Sequence, residues 1–188
     1  MKYPGCVMLV GRCHKRSSEM HWGLVKTIIV LPGTVLVFIP AVIVLLTMGS
    51  RFPPELTNPS HILFWLALLA ASTGATLCFW AVKHFIRYGE GTPAPWDPPK
   101  KLVIGGPYRH SRNPMITGAL LLLLAEALFL RSWFIAAWML LFFAGNAIYF
   151  PLVEEKGLEK RFGEEYRKYK SRVPRWIPRL KPWENSER

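Results

Sequence analysis

The sequence predicts an all-α, polytopic membrane protein: about four transmembrane helices, the last two forming a C-terminal hairpin, then an amphipathic cytoplasmic tail helix. Three observations lead there. Apolar residues come in long unbroken blocks, and 51% of the 188 residues are hydrophobic. Lys and Arg alternate between rich and poor segments. After the last apolar block the pattern switches to dense charge, with an apolar residue every three or four positions.

The first block, Leu24–Met48, holds only Lys26 as a charge, and the second, His61–Ile86, only Lys83 and His84 near its far end. Each is long enough to cross a hydrocarbon core of ~30 Å, which takes about 20 residues. Pro114–Leu130 and Trp133–Val153 are shorter and read as a tight helical hairpin with its tip at Arg131-Ser132. One such block would suit the core of a water-soluble protein, but four in this chain leave too little polar sequence to cover them. Pro32, Gly33 and Pro40 predict a kink in the first span. The loop "RFPPELTNPS" (51–60) suits an external connection, and Ser72, Thr73, Gly74 and Ala75 predict close helix packing in the second span.

Orientation follows from the cations. Lys2, Arg12, Lys15 and Arg16 precede the first span, and Arg87, Lys100, Lys101, Arg109 and Arg112 occupy the central loop. Eleven more follow Val153, whereas the first loop and the hairpin tip have one each, Arg51 and Arg131. Positive segments stay cytoplasmic, so the N-terminus, central loop, active site and tail are expected there. The net charge of +12 is then topology plus attraction to anionic headgroups. Nucleic acid is not an expected partner, and no obligatory protein partner is evident.

Residues 1–23 read as a basic arm. Cys6, Cys13 and His14 there lack a metal-ligand spacing, so no metal is expected, and Cys78 lies inside the second span, so no disulfide framework is implied. The first apolar block is too long for a signal-peptide core, and Met20 offers an alternative start. The remaining chain divides into the first two spans (24–88), a catalytic region (89–183) and a short end (184–188). In the tail, Leu158, Phe162, Tyr166 and Tyr169 mark one face of an amphipathic helix over Glu154–Lys170, lying on the membrane surface or on the central loop. Pro174 and Pro178 end it, leaving Trp176 and Trp183 as interfacial anchors.

Candidate chemistry gathers at "GGPYRHSRNP" (105–114). Gly105 and Gly106 permit a tight bend and close approach to a ligand. Asn113-Pro114 is a helix-start signal, with Asn113 expected to cap and the free N–H groups behind it favouring an anion. Arg109, His110 and Arg112 surround that point; they would hold a carboxylate or phosphate, or serve only as headgroup anchors. An up-and-down hairpin brings Glu154-Glu155 back beside Pro114, suiting a zwitterionic ligand with a ribose unless both glutamates merely pair with Lys156 and Arg161. Glu126 is costly at membrane depth; it is expected to bond across helices to Asn146, Trp80 or a serine, or to line a substrate cavity.

At "LVIGGPYRHSRNPMITG" (102–118) and "EEKGLEKRFGEEYRKYKSRVPRWIP" (154–178) the chain resembles the isoprenylcysteine carboxyl methyltransferase family, which includes phosphatidylethanolamine N-methyltransferase-like membrane enzymes. The resemblance covers roughly Gly89 to Trp183. It implies a helical membrane enzyme that uses S-adenosylmethionine to methylate a lipophilic acceptor entering from the bilayer, an isoprenylcysteine carboxylate-like group or a phospholipid amine. By the same resemblance Leu102, Val103, Gly106, Pro107 and Tyr108 form the cofactor loop, and Asn113, Pro114, Glu154 and Glu155 complete the cofactor site. Arg112 orients the acceptor, and Arg112 and Glu154 are the expected catalytic pair. Two departures bear on the acceptor: Asn113 replaces a histidine and cannot titrate, and Ile116 stands where a tyrosine is frequent. A carboxylate acceptor needs no base, whereas an ammonium must first lose a proton, for which His110 and His84 are the nearby imidazoles. The alternatives are a sterol-reductase-like, NADPH-dependent membrane oxidoreductase and a non-catalytic lipid-binding module of the same fold.

Overall fold

A computed structural model describes residue 30 and residues 32–89 and 101–183. The basic arm, the start of the first span, positions 90–100 of the central loop and the end 184–188 lie outside the described residues. Within them the chain is all-helical, with no strand: α1 (Ile39–Thr47), α2 (Ile62–Tyr88), α3 (Pro114–Phe129), α4 (Trp133–Tyr149) and α5 (Glu155–Arg172). Among the described residues two helices are long and apolar enough to cross a membrane, Ile62–Tyr88 and Trp133–Arg172; Thr34–Thr47 and Pro114–Phe129 are shorter apolar helices. Leu68, Leu69, Phe79, Leu140 and Leu141 all point outward, a surface suited to lipid and costly in water.

The predicted kink in the first span takes the form of a π-helical turn, Thr34–Phe38, immediately before Pro40. In that wider register the Val35 carbonyl would look to residue 40 for its donor, and proline has none. Trp138 Nε1 on α4 donates to it instead, at 3.2 Å.

α2 and α3 pack through small residues. Ala67, Ala70, Gly74 and Ala81 are the buried positions of α2. A Cβ on Gly74 would sit 2.8 Å from the Gly118 carbonyl oxygen, and one on Gly118 2.5 Å from Cys78 Sγ. Neither helix can carry a larger residue at the crossing without parting.

The hairpin tip is a Schellman turn. Arg131 takes φ 45°, Ser132 N donates to Ala127 O at 3.0 Å and Arg131 N to Leu128 O at 3.4 Å. Ser132 Oγ then accepts from Ile135 N to cap α4. The remaining α3 carbonyls are taken by the first loop: Glu55 N donates to Leu130 O, Thr57 N to Phe129 O and Thr57 Oγ1 to Leu128 O at 2.8 Å. The proline-rich loop is therefore the cap of another helix.

The fourth span runs into the tail helix without a break at Glu154; the interruption falls later, at Gly163, whose φ 52° and ψ −126° kink the helical run Trp133–Arg172. Pro151 falls in a π-helical turn, Phe150–Glu154, which absorbs the missing donor without ending the helix. At ~1.5 Å per residue the run from Trp133 to the Gly163 kink is about 45 Å long, more than a hydrocarbon core of ~30 Å, so its charged end lies beyond any membrane-spanning part. Past the kink the helix buries Tyr166 and Tyr169 against Leu102 and Ile104 of the central loop.

Gly118→Val is expected to destabilise by about 1–3 kcal/mol through overpacking. Thr57→Val should cost about 1 kcal/mol by leaving the Leu128 carbonyl only its longer bond from Arg131 N. Thermal unfolding of the detergent-solubilised variants checks both.

Candidate active site

Three chain segments meet at one end of the bundle: the end of α2, the turn leading into α3, and α5 with the segment after it. The turn Gly106–Arg109 is a single 3₁₀ turn held between two clusters. On one side Val103 and Tyr108 pack with Ala81, Phe85 and Met115. On the other, the Tyr169 hydroxyl donates to the Tyr108 carbonyl at 2.7 Å.

The glycines of this turn face a residue of the chain itself. The His84 ring lies where side chains of Gly105 and Gly106 would be, with a Gly106 Cβ falling 2.8 Å from His84 Nδ1. Gly106 also takes φ 56°, a conformation that disfavours L side chains. The close approach read as room for a ligand is taken by an imidazole.

Arg109, His110 and Arg112 do not converge. Segment 174–183 runs back along 109–112 as a backbone-bonded strap: Arg112 N donates to Pro174 O, Arg179 N to His110 O and Trp183 N to Arg109 O. Ser111 Oγ donates to Arg175 O at 2.9 Å. Arg109 Nε donates to Trp183 O at 2.7 Å, and His110 Nδ1 lies 2.7 Å from Arg179 O. A carbonyl only accepts, so Nδ1 of His110 carries a proton in this contact. The tryptophans read as membrane anchors pack on the chain: Trp176 edge-on to Phe143 and Phe150, Trp183 on Tyr169.

Arg112 alone reaches the acidic pair. Its guanidinium donates to Glu155 Oε1 at 2.9 Å, Arg175 Nε donates to the same oxygen at 2.7 Å, and Lys170 Nζ lies 3.1 Å from Oε2. Lys170 also bonds Glu159 at 2.7 Å. Glu155 is 3% exposed and would be untenable as a charge without these partners. Burial pushes its carboxyl up, but the Arg175 hydrogen bond, the Arg112 charge and Lys170 together hold it below its ordinary value. Neither Lys156 nor Arg161, the neighbours expected for the paired glutamates, takes part in this cluster. Glu154, one position earlier, is exposed.

Asn113 does not cap. With ψ at 57° its side chain makes no bond to the first turn of α3, although Pro114 takes the first helical position as expected. Asn113 Nδ2 and Arg112 Nε are instead buried donors with no hydrogen-bond partner, beside a helix start whose own N–H groups have no side-chain acceptor. Unsatisfied buried donors of this kind cost free energy and mark a place built for an acceptor. Of the expected cofactor-loop residues, Val103, Pro107, Tyr108 and Pro114 are buried scaffold, and Leu102 packs on the α5 tyrosines. Reasoning from sequence missed Lys170 and Ser111, and named His84 as a nearby imidazole rather than as the ring that fills the glycine turn. Arg175 stood in the quoted tail block without a role.

Removing Glu155 strands three cations, so Glu155→Ala is expected to cost about 3–5 kcal/mol. Because the folded carboxyl is held below its ordinary value of 4.5, its stabilisation is present above that value and is lost as pH falls through the folded one. Unfolding followed across the acid range should show that loss in the parent chain and a flatter profile in Glu155→Gln.

A family model described as phospholipid methyltransferase matches residues 61–165, more than half of the chain. No curated protein and no solved structure matches it. The matched span takes in α2, the glycine turn, the α3 start and both glutamates but stops short of Lys170 and Arg175. The chain belongs to the phospholipid methyltransferase family, membrane proteins that transfer methyl groups.

Proposed function

We propose that the protein is an S-adenosylmethionine-dependent methyltransferase acting on a lipophilic acceptor in the membrane, with a phospholipid amine as the acceptor class that the family match favours. The observation that carries the reading is the Arg112–Glu155 contact. It places two blocks of sequence, forty residues apart, around the open start of α3. In the same proposal the chain crosses the bilayer four times, with this end of the bundle on the cytoplasmic side, where the cations concentrate.

The residues present fit the cofactor's chemistry. Asn113 Nδ2, Arg112 Nε and the α3 N-terminus offer donors for a carboxylate. Glu154, exposed and next in the chain to the Arg112-bound Glu155, is the acceptor assigned to an ammonium or ribose hydroxyls. Glu155 does not serve as a ligand in this reading; it is the counterion that fixes Arg112. S-adenosylmethionine supplies, when bound, a methyl group on a positively charged sulfur. The protein's part is to align and to exclude water, and alignment alone contributes on the order of 7–11 kcal/mol to such a displacement. The aromatic wall of Tyr108, Tyr166 and Tyr169 keeps that end dry. Asn113 cannot take a proton; the Arg179 carbonyl holds the Nδ1–H of His110, which leaves Nε2 as the ring nitrogen able to accept one from an ammonium acceptor.

Labelled S-adenosylmethionine incubated with the purified protein and a phospholipid extract tests the proposal through the labelled lipid product. Glu154→Ala is expected to lower transfer about 100-fold while leaving the fold intact, since its side chain is exposed. Arg112→Ala should lose transfer and stability together. Unchanged transfer in Glu154→Ala overturns the assignment of that residue, and absence of labelled lipid with the parent protein overturns the function.

A further inference from the structure

A second carboxylate stands in an apolar place at the other end of α2 and α3. Glu126 lines a cleft of about 320 Å³ whose remaining walls are Phe64, Ala67, Leu68, Ala71, Ala125, Phe129 and Leu130. Its Oε2 is buried and makes no hydrogen bond. None of the cross-helix partners expected for it is engaged with it: Asn146 Nδ2 donates to Phe142 O, Ser72 Oγ to Leu69 O, and Ser132 Oγ accepts from Ile135 N. Arg131, the cation at the hairpin tip, pairs with Glu55 at 3.1 Å. Twelve residues of α3 separate Glu126 from Pro114, about 18 Å of helix, so this cleft is not the Arg112–Glu155 site.

An apolar cleft with one unmatched carboxylate selects its occupant by charge. A hydrocarbon chain satisfies the walls, and only a cation with hydrogen-bond donors satisfies the carboxylate. We infer that the Glu126 cleft binds the ammonium group of an aliphatic amine, with its chain along Phe64, Leu68 and Phe129. The ammonium has two sources, the headgroup of an amino phospholipid or a free long-chain amine. The small residues Ala67, Ala71 and Ala125 leave room beside the carboxylate where larger ones would close the cleft. The binding requires neither S-adenosylmethionine nor methyl transfer.

The test is direct binding of dodecylamine to the full chain in phosphatidylcholine nanodiscs, with dodecanol as the uncharged control. Saturable binding of the amine but not the alcohol is expected, weakened about tenfold or more in Glu126→Gln, which keeps the side-chain shape and loses the charge. Ala71→Phe, which fills the cleft and leaves Glu126 in place, should also lose the amine. Phosphatidylethanolamine in the nanodiscs that competes with dodecylamine assigns the lipid as occupant; absence of competition assigns the free amine. Equal binding of amine and alcohol, or unchanged amine affinity in both Glu126→Gln and Ala71→Phe, overturns the proposal.

Discussion

The site end of this molecule depends on one buried carboxylate. Glu155 is nearly inaccessible to water and is held by cations from three places: Arg112 before α3, Lys170 near the end of α5, and Arg175 in the returning strap. A single ion pair in that position would barely repay its desolvation, and three partners change the balance. The consequence is geometric as much as energetic. Arg112 is fixed against α5, which in turn fixes the peptide that starts α3 and leaves the Asn113 amide facing inward without a partner.

Much of the fold could be read directly because apolar block length, proline and glycine act locally. The hairpin tip at Arg131-Ser132 and the helix start at Pro114 rest on interactions within a few residues, and the tyrosine face of the tail on helical spacing. What could not be read was pairing at a distance. Nothing in a one-dimensional pattern says that Thr57 caps a helix ending at Phe129, or that Trp138 serves a carbonyl orphaned by Pro40. The break expected at Glu154 failed for a related reason: a change of polarity marks where a helix leaves an apolar medium, not where its hydrogen bonding stops.

The candidate site was legible in position and less so in role. Arg112 and the acidic pair meet, as the two sequence blocks implied, but the glutamate in contact is Glu155, while Glu154 faces outward. Charge density alone placed Arg109 and His110 beside Arg112. The strap 174–183 draws both of them away through backbone carbonyls, and a carbonyl acceptor leaves no trace in side-chain sequence. The cations that join Arg112 at Glu155, Lys170 and Arg175, lie past the end of the family match at residue 165.

The helical run from Trp133 past Glu155 to the kink at Gly163 has a mechanical meaning. One half is apolar and the other carries Glu155, with only a widened turn between them. Any tilt of the apolar half carries Glu155, and with it the guanidinium of Arg112. The apolar half and the ion cluster are thus joined through helical backbone, with no loop between them to take up slack.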